Sequence, residues 1–155
     1  MPPSTLPIGL QLRRAGKVVS RAFDDALAEA DGSLPVWLVL VSVKARRHGR
    51  QADVAAAVGI EGPTLTHHLN RMESAGLVTR TRDPQNRRVH QVALTEAGEA
   101  LFLRLRTAVV AFDGRLRQGL GDDEVAQLAS VLQRLTANVG VGMEAATPEP
   151  ERTRR

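Results

Sequence analysis

Apolar residues recur three or four positions apart near the start of the chain. Leu12, Ala15, Val19, Ala22, Phe23, Ala26, Leu27 and Ala30 share one helical face, and Asp31-Gly32 closes the run. The pattern predicts a long first helix. Ser33 suits an N-cap, Pro35 fits a first turn, and Val36 to Val43 is apolar nearly all round before Lys44 to Arg50 turns basic, which predicts a second, buried helix. An alanine-rich segment from Gln51 to Val58 runs into Gly59, and Glu61-Gly62-Pro63-Thr64 opens another helix lasting to Ala75-Gly76. Leu77 to Arg82 and Val89 to Ala93 read as strands flanking Asp83-Pro84-Gln85-Asn86-Arg87-Arg88, a hairpin with a basic tip. Thr95 caps a further long helix with Ala97, Leu101, Leu105, Ala108, Phe112 and Leu116 on one face, and Glu96 and Glu99 favour its positive end. After Gly121-Asp122, the residues Val125, Leu128, Leu132, Leu135 and Val139 form a narrow seam suited to a last helix. Residues 141–155 have no apolar period and are expected to form a disordered tail. The predicted fold class is mainly α with a small β-hairpin wing, in the order α-α-α-α-β-β-α-α.

Composition narrows this picture. A chain of 155 residues is expected to hold one domain with a real core. It has no run of the roughly 18 to 20 apolar residues that a membrane helix needs and no signal-like start, so a cytoplasmic protein without a membrane partner is expected. With no cysteine, disulfides, thiolate nucleophiles and thiol redox sensing are excluded. No nucleophile-base set, phosphate loop or metal cluster stands out, so no enzyme, no catalytic residues and no cofactor are expected. His67 and His68 are adjacent, about 100° apart on a helix, which suits polar surface better than a shared ion. The net charge is +4, and residues 44–90 carry nine basic against four acidic groups, so the whole excess sits in the middle third. A local basic face points to an acidic partner such as nucleic acid.

Within that third, Ala55, Gly59 and Leu65 fall at offsets of four and six, as a helix-turn-helix needs. Ala55 lets the second helix pass close, Gly59 can take a positive φ, and Leu65, Leu69 and Met72 anchor the second helix. The opposite face carries Thr64, Thr66, His67, Asn70 and Arg71, groups suited to base edges and phosphates in a major groove. The wing that follows can lay Arg87 or Arg88 beside the duplex, where a narrow minor groove attracts arginine. The expected interface therefore spans residues 34–93.

Gly62-Pro-Thr-Leu-Thr-His-His-Leu-Asn-Arg-Met-Glu-Ser-Ala-Gly-Leu-Val78, followed by Arg80, Asp83-Pro-Gln-Asn-Arg-Arg88 and Leu94-Thr-Glu-Ala-Gly98, resembles the multiple-antibiotic-resistance regulator (MarR) family. The resemblance is densest over residues 51–98 and extends by helix order across roughly 8–140. It implies a homodimer joined by the first and the last two helices, residues 8–32 and 95–140, and a winged helix-turn-helix that binds double-stranded DNA. Carried over by position, it implies DNA contacts by Thr64, Thr66, His67 and Arg71 of the recognition helix and by Arg87 of the wing, with Asp83 bracing the loop by an ion pair; Arg80 joins the expected contacts. It further implies a ligand-responsive repressor on a pseudo-palindromic operator, whose small aromatic or phenolic effector would sit near Arg13, Arg14 and Trp37. Asn86, where the family usually has aspartate, and the pair His67-His68 depart from the pattern, so base preference is not carried over. The alternative reading is a winged-helix module that binds an acidic protein without sequence-specific DNA binding.

Overall fold

The computed structural model describes residues 6–46, 49–51, 54–55, 59, 62–85 and 90–140. The chain divides into two compact units, residues 1–114 and 115–155.

The first unit opens with α1, Ile8–Glu29, and α2, Leu34–Arg46. Between them Asp31, at φ 65°, takes the left-handed position, while Gly32 N–H and Asp31 N–H bond back to Leu27 O and Ala28 O at 2.9 and 3.0 Å. These two bonds satisfy carbonyls that the helix end leaves open. The glycine of the predicted Asp31-Gly32 stop thus serves another need: a Cβ at Gly32 would lie 2.4 Å from Cδ2 of the buried Leu105.

The sequence placed Lys44 to Arg50 in the second helix, but the helix ends at Arg46, and β1, Gly49–Arg50, pairs with the later strand His90–Leu94. Two residues are too short to show a period, and only pairing across space makes them a strand. Of segment 51–58, the described residues Gln51, Val54 and Ala55 are helical. Then come α3, Gly62–Ser74, β2, Val78–Arg82, β3, His90–Leu94, and α4, Glu96–Leu116. The wing is therefore the larger part of a three-stranded antiparallel sheet in the order β1-β3-β2, with Val78 opposite Leu94 and Arg82 opposite His90.

One core serves all these elements. Leu27 of α1, Val39, Leu40 and Val43 of α2, Val54 ahead of α3, Leu65 and Leu69 within α3, Val78 and Val92 of the sheet, and Leu105 of α4 are at most 1% exposed. Trp37 stacks on Phe102 with centroids 5.7 Å apart, and Phe23 meets Phe112 at 5.1 Å, which pins α2 and α1 to α4. The Lys44 ammonium pairs with Glu99 at 2.5 Å and lies 5.6 Å from the Phe102 ring centre.

In the second unit, α5 spans Asp122–Asn138, with Glu124 accepting the Gly121 N–H at 2.8 Å and Asp122 paired to Arg117 at 3.0 Å. None of its residues is buried. The expected tail at 141–155 lies outside the described residues.

Candidate nucleic-acid interface

Helix α3 is held by one face and offers the other. Leu65, Leu69 and Met72, spaced four and three apart, are 0, 0 and 3% exposed, so the apolar stripe is fully seated. Before the helix, Gly59 takes φ 67° and its N–H bonds Ala55 O at 3.0 Å, which makes the tight turn that a side chain would strain. Gln51 reaches across this turn and donates to Thr66 Oγ1 at 2.9 Å. At the far end Gly76 takes φ 70°, with Leu77 N–H on Met72 O and Gly76 N–H on Glu73 O, both at 2.9 Å.

That end is tied in turn to α4. Thr95 N–H bonds Leu77 O at 3.1 Å, Thr95 Oγ1 donates to Gly76 O at 2.5 Å, and the same hydroxyl accepts from Gly98 N–H at 3.0 Å. Thr95 is thus both the N-cap of α4 and the peg that fixes the exit of α3.

Thr64, His67, Asn70 and Arg71 are exposed on the outer surface of α3, and Thr66 is half-buried beneath Gln51. His67 and His68 meet edge to face with ring centres 5.9 Å apart. Arg80 of β2 points at α3: its Nε and Nη2 donate to Glu73 Oε2 at 3.0 and 2.6 Å, and Nη2 also donates to Asn70 Oδ1 at 2.6 Å. At the start of the wing, Asp83 accepts from Gln85 N–H at 2.8 Å and from Gln91 Nε2 at 3.1 Å, so its carboxylate fastens the loop to β3. Arg87 and Arg88, expected at the wing tip, lie outside the described residues.

Gln51 and Glu73 escaped the sequence reading. Both act through partners that only the fold brings near, 15 and 7 residues away. Of the expected effector residues, Arg13 and Arg14 are exposed on α1, whereas Trp37 is half-buried in its stack with Phe102. None of the three lines the cleft of about 210 Å³ between the start of α2 and the end of α3, whose walls include Val36, His68, Arg71 and Leu77.

Residues 33–90 match the MarR family. A MarR-family transcriptional regulator from Rhodococcus sp. RHA1 is 33% identical, with 83% of this chain and 91% of that one covered and a TM-score of 0.70. CouR from Rhodococcus jostii RHA1, solved bound to p-coumaroyl-CoA, is 33% identical over the same shares at a TM-score of 0.71. CouR bound to a 23-mer DNA duplex, described as a transcriptional repressor, gives a TM-score of 0.75 at 31% identity, again covering 83% of this chain and 91% of that one. A mutant of E. coli MarR complexed with operator DNA is 24% identical, covers 84% of this chain and 94% of its own, and shares the fold at a TM-score of 0.74. The matched winged helix-turn-helix, and relatives a third identical along most of their length, establish that this chain belongs to the MarR family of transcriptional regulators.

Proposed function

We propose that the protein is a cytoplasmic, non-enzymatic regulator that binds double-stranded DNA sequence-specifically as a homodimer and represses transcription from a pseudo-palindromic operator. The observation that carries this is the outer face of α3, where Thr64, His67, Asn70 and Arg71 stand exposed on a helix whose inner face is buried. Such a helix fits a major groove, with hydroxyl, amide and guanidinium groups for base edges and phosphates. Thr66 and the wing arginines Arg87 and Arg88 complete the contact set, Arg80 stands behind Asn70, and Asp83 supports the wing.

Dimerisation follows from what one chain leaves uncovered. Ile8, Leu10, Leu12 and Val18 of α1, Leu103 and Val110 of α4, and Leu128, Val131 and Leu132 of α5 are all exposed by more than a third. Apolar surface on this scale is covered in a stable assembly. A two-fold dimer then places two α3 helices in successive major grooves, about 34 Å apart.

The effector is a small aromatic or phenolic acid or its thioester, in line with the CouR complex with p-coumaroyl-CoA. Arg13, Arg14 and Trp37 are the residues proposed to hold it. By favouring a lobe spacing that no longer fits the grooves, a few kcal/mol of differential affinity suffices to release the operator.

The decisive measurement is a mobility shift with the protein's own upstream intergenic duplex against a scrambled one at two salt concentrations. Selective binding that weakens with salt is expected. Indifference to DNA in a protein that still dimerises would replace this function with recognition of an acidic protein.

A further inference from the structure

We infer that Arg80 is a positioning residue that sets Asn70 to read hydrogen-bond acceptors in the major groove, so that Asn70 selects a G·C pair over an A·T pair. The inference rests on the DNA-binding reading above and adds the chemistry of one contact.

An asparagine carboxamide is two-faced. Alone in a groove it accepts from adenine N6 and donates to N7, the pairing that makes Asn a reader of adenine. Here the choice is made inside the protein. The guanidinium has only donors, so the atom of Asn70 that meets Arg80 Nη2 at 2.6 Å is Oδ1, and the NH₂ group is the end left for another partner. Two N–H donors match guanine N7 and O6, the adjacent acceptors of a G·C pair, whereas thymine O4 offers only one.

Arg80 itself is spent on this task. Its Nε and Nη2 are engaged by Glu73 and Asn70, and its side chain is only 18% exposed. Nη1 keeps two N–H donors, but the guanidinium is held against α3 by bonds of 2.6 Å and the Glu73 carboxylate already balances its charge. Arg80 stands on β2, opposite the buried Val92, so its base is as fixed as the sheet. Arg71, exposed on α3 one residue beyond Asn70, has no such engagement among the hydrogen bonds and ion pairs of the described residues and can meet the backbone directly.

The test is selection from a randomised duplex pool with the full-length wild type, followed by salt titrations of Arg80→Gln, Arg71→Gln and Asn70→Asp on the selected site. Wild type should select a G·C pair at a position whose preference Asn70→Asp abolishes, inverts to C·G or moves to A·T, because a carboxylate accepts from amino groups and donates nothing. Arg80→Gln should lose about ten-fold in selective affinity with the salt slope kept, whereas Arg71→Gln should lower the slope by about 1.8, about 0.9 for each subunit of the dimer. Selection of an A·T pair there by the wild type, or an unchanged preference in Asn70→Asp, overturns the assignment of Asn70. A slope lowered by about 1.8 in Arg80→Gln makes that residue a phosphate contact and overturns its positioning role. Asn70 is on the surface, so its variant keeps the test valid if Arg80→Gln fails to fold. Failure of the wild type to select any sequence would sink the DNA-binding reading itself, a result distinct from selection that ignores Asn70.

Discussion

Gly98 sits in the first turn of α4, where a methyl group has no room. A Cβ there would lie 2.0 Å from Leu77 O, 3.0 Å from Leu77 C and 3.5 Å from Leu94 Cβ. Two of these contacts are to backbone, so no side-chain rotation relieves them, and α4 must retreat by about 1 Å to restore van der Waals distance. Retreat stretches the Thr95 N–H bond to Leu77 O, now 3.1 Å, and the Thr95 hydroxyl bond to Gly76 O, now 2.5 Å. Overpacking costs about 1 to 3 kcal/mol and each weakened hydrogen bond about 1, while alanine's helix propensity returns at most about 1. Gly98→Ala is therefore expected to lose about 2 to 4 kcal/mol. Urea denaturation at fixed protein concentration measures it, because a dimer's stability depends on concentration. Unchanged or raised stability would mean that propensity outweighs the clash, and would refute the packing argument for the joint between α3 and α4. A variant that folds should also bind operator less tightly, since the carbonyls displaced belong to the exit of α3.

Three further outcomes are expected. Arg87→Ala, at a position known from the sequence alone, should weaken operator binding about ten-fold or more and flatten its salt dependence, and identical titrations of variant and wild type would take the wing out of the mechanism. Leu132→Glu in α5 places a charge on an apolar seam that one chain leaves 39% exposed, and sedimentation should show monomers, whereas an intact dimer would put the interface elsewhere. Asp31→Gly relieves a left-handed backbone at φ 65° and should raise stability by up to about 1 kcal/mol; a loss on thermal unfolding would show that the aspartate side chain itself holds the turn.

What the sequence shows and what it hides divide along a physical line. Periodicity reports which face of an element is buried, so Leu65, Leu69 and Met72 mark the inner side of α3, and the polar face opposite follows from them. Gly59 and Gly76 are legible for a related reason: each is a local demand for positive φ at a helix boundary. Gly98 is different, because its lack of a side chain answers Leu77 O, 21 residues away in sequence, and nothing local distinguishes it from a helix-weakening glycine. The two-residue strand Gly49–Arg50 is hidden likewise, since its order comes from β3 across the sheet.

Arg80 shows how far composition can mislead about an individual residue. Counted by charge, it joins the basic face of the middle third. Placed by the fold, its charge is met by Glu73, and its remaining hydrogen bond goes to Asn70, a side chain that the sequence had assigned to the same surface independently. A local excess of positive charge identifies a nucleic-acid partner because long-range attraction depends on the sum. Which cations touch phosphate, and which instead orient a neighbour that reads a base, depends on hydrogen-bond partners a few ångströms away. For this reason the function was legible in the sequence while the division of labour among its arginines was not.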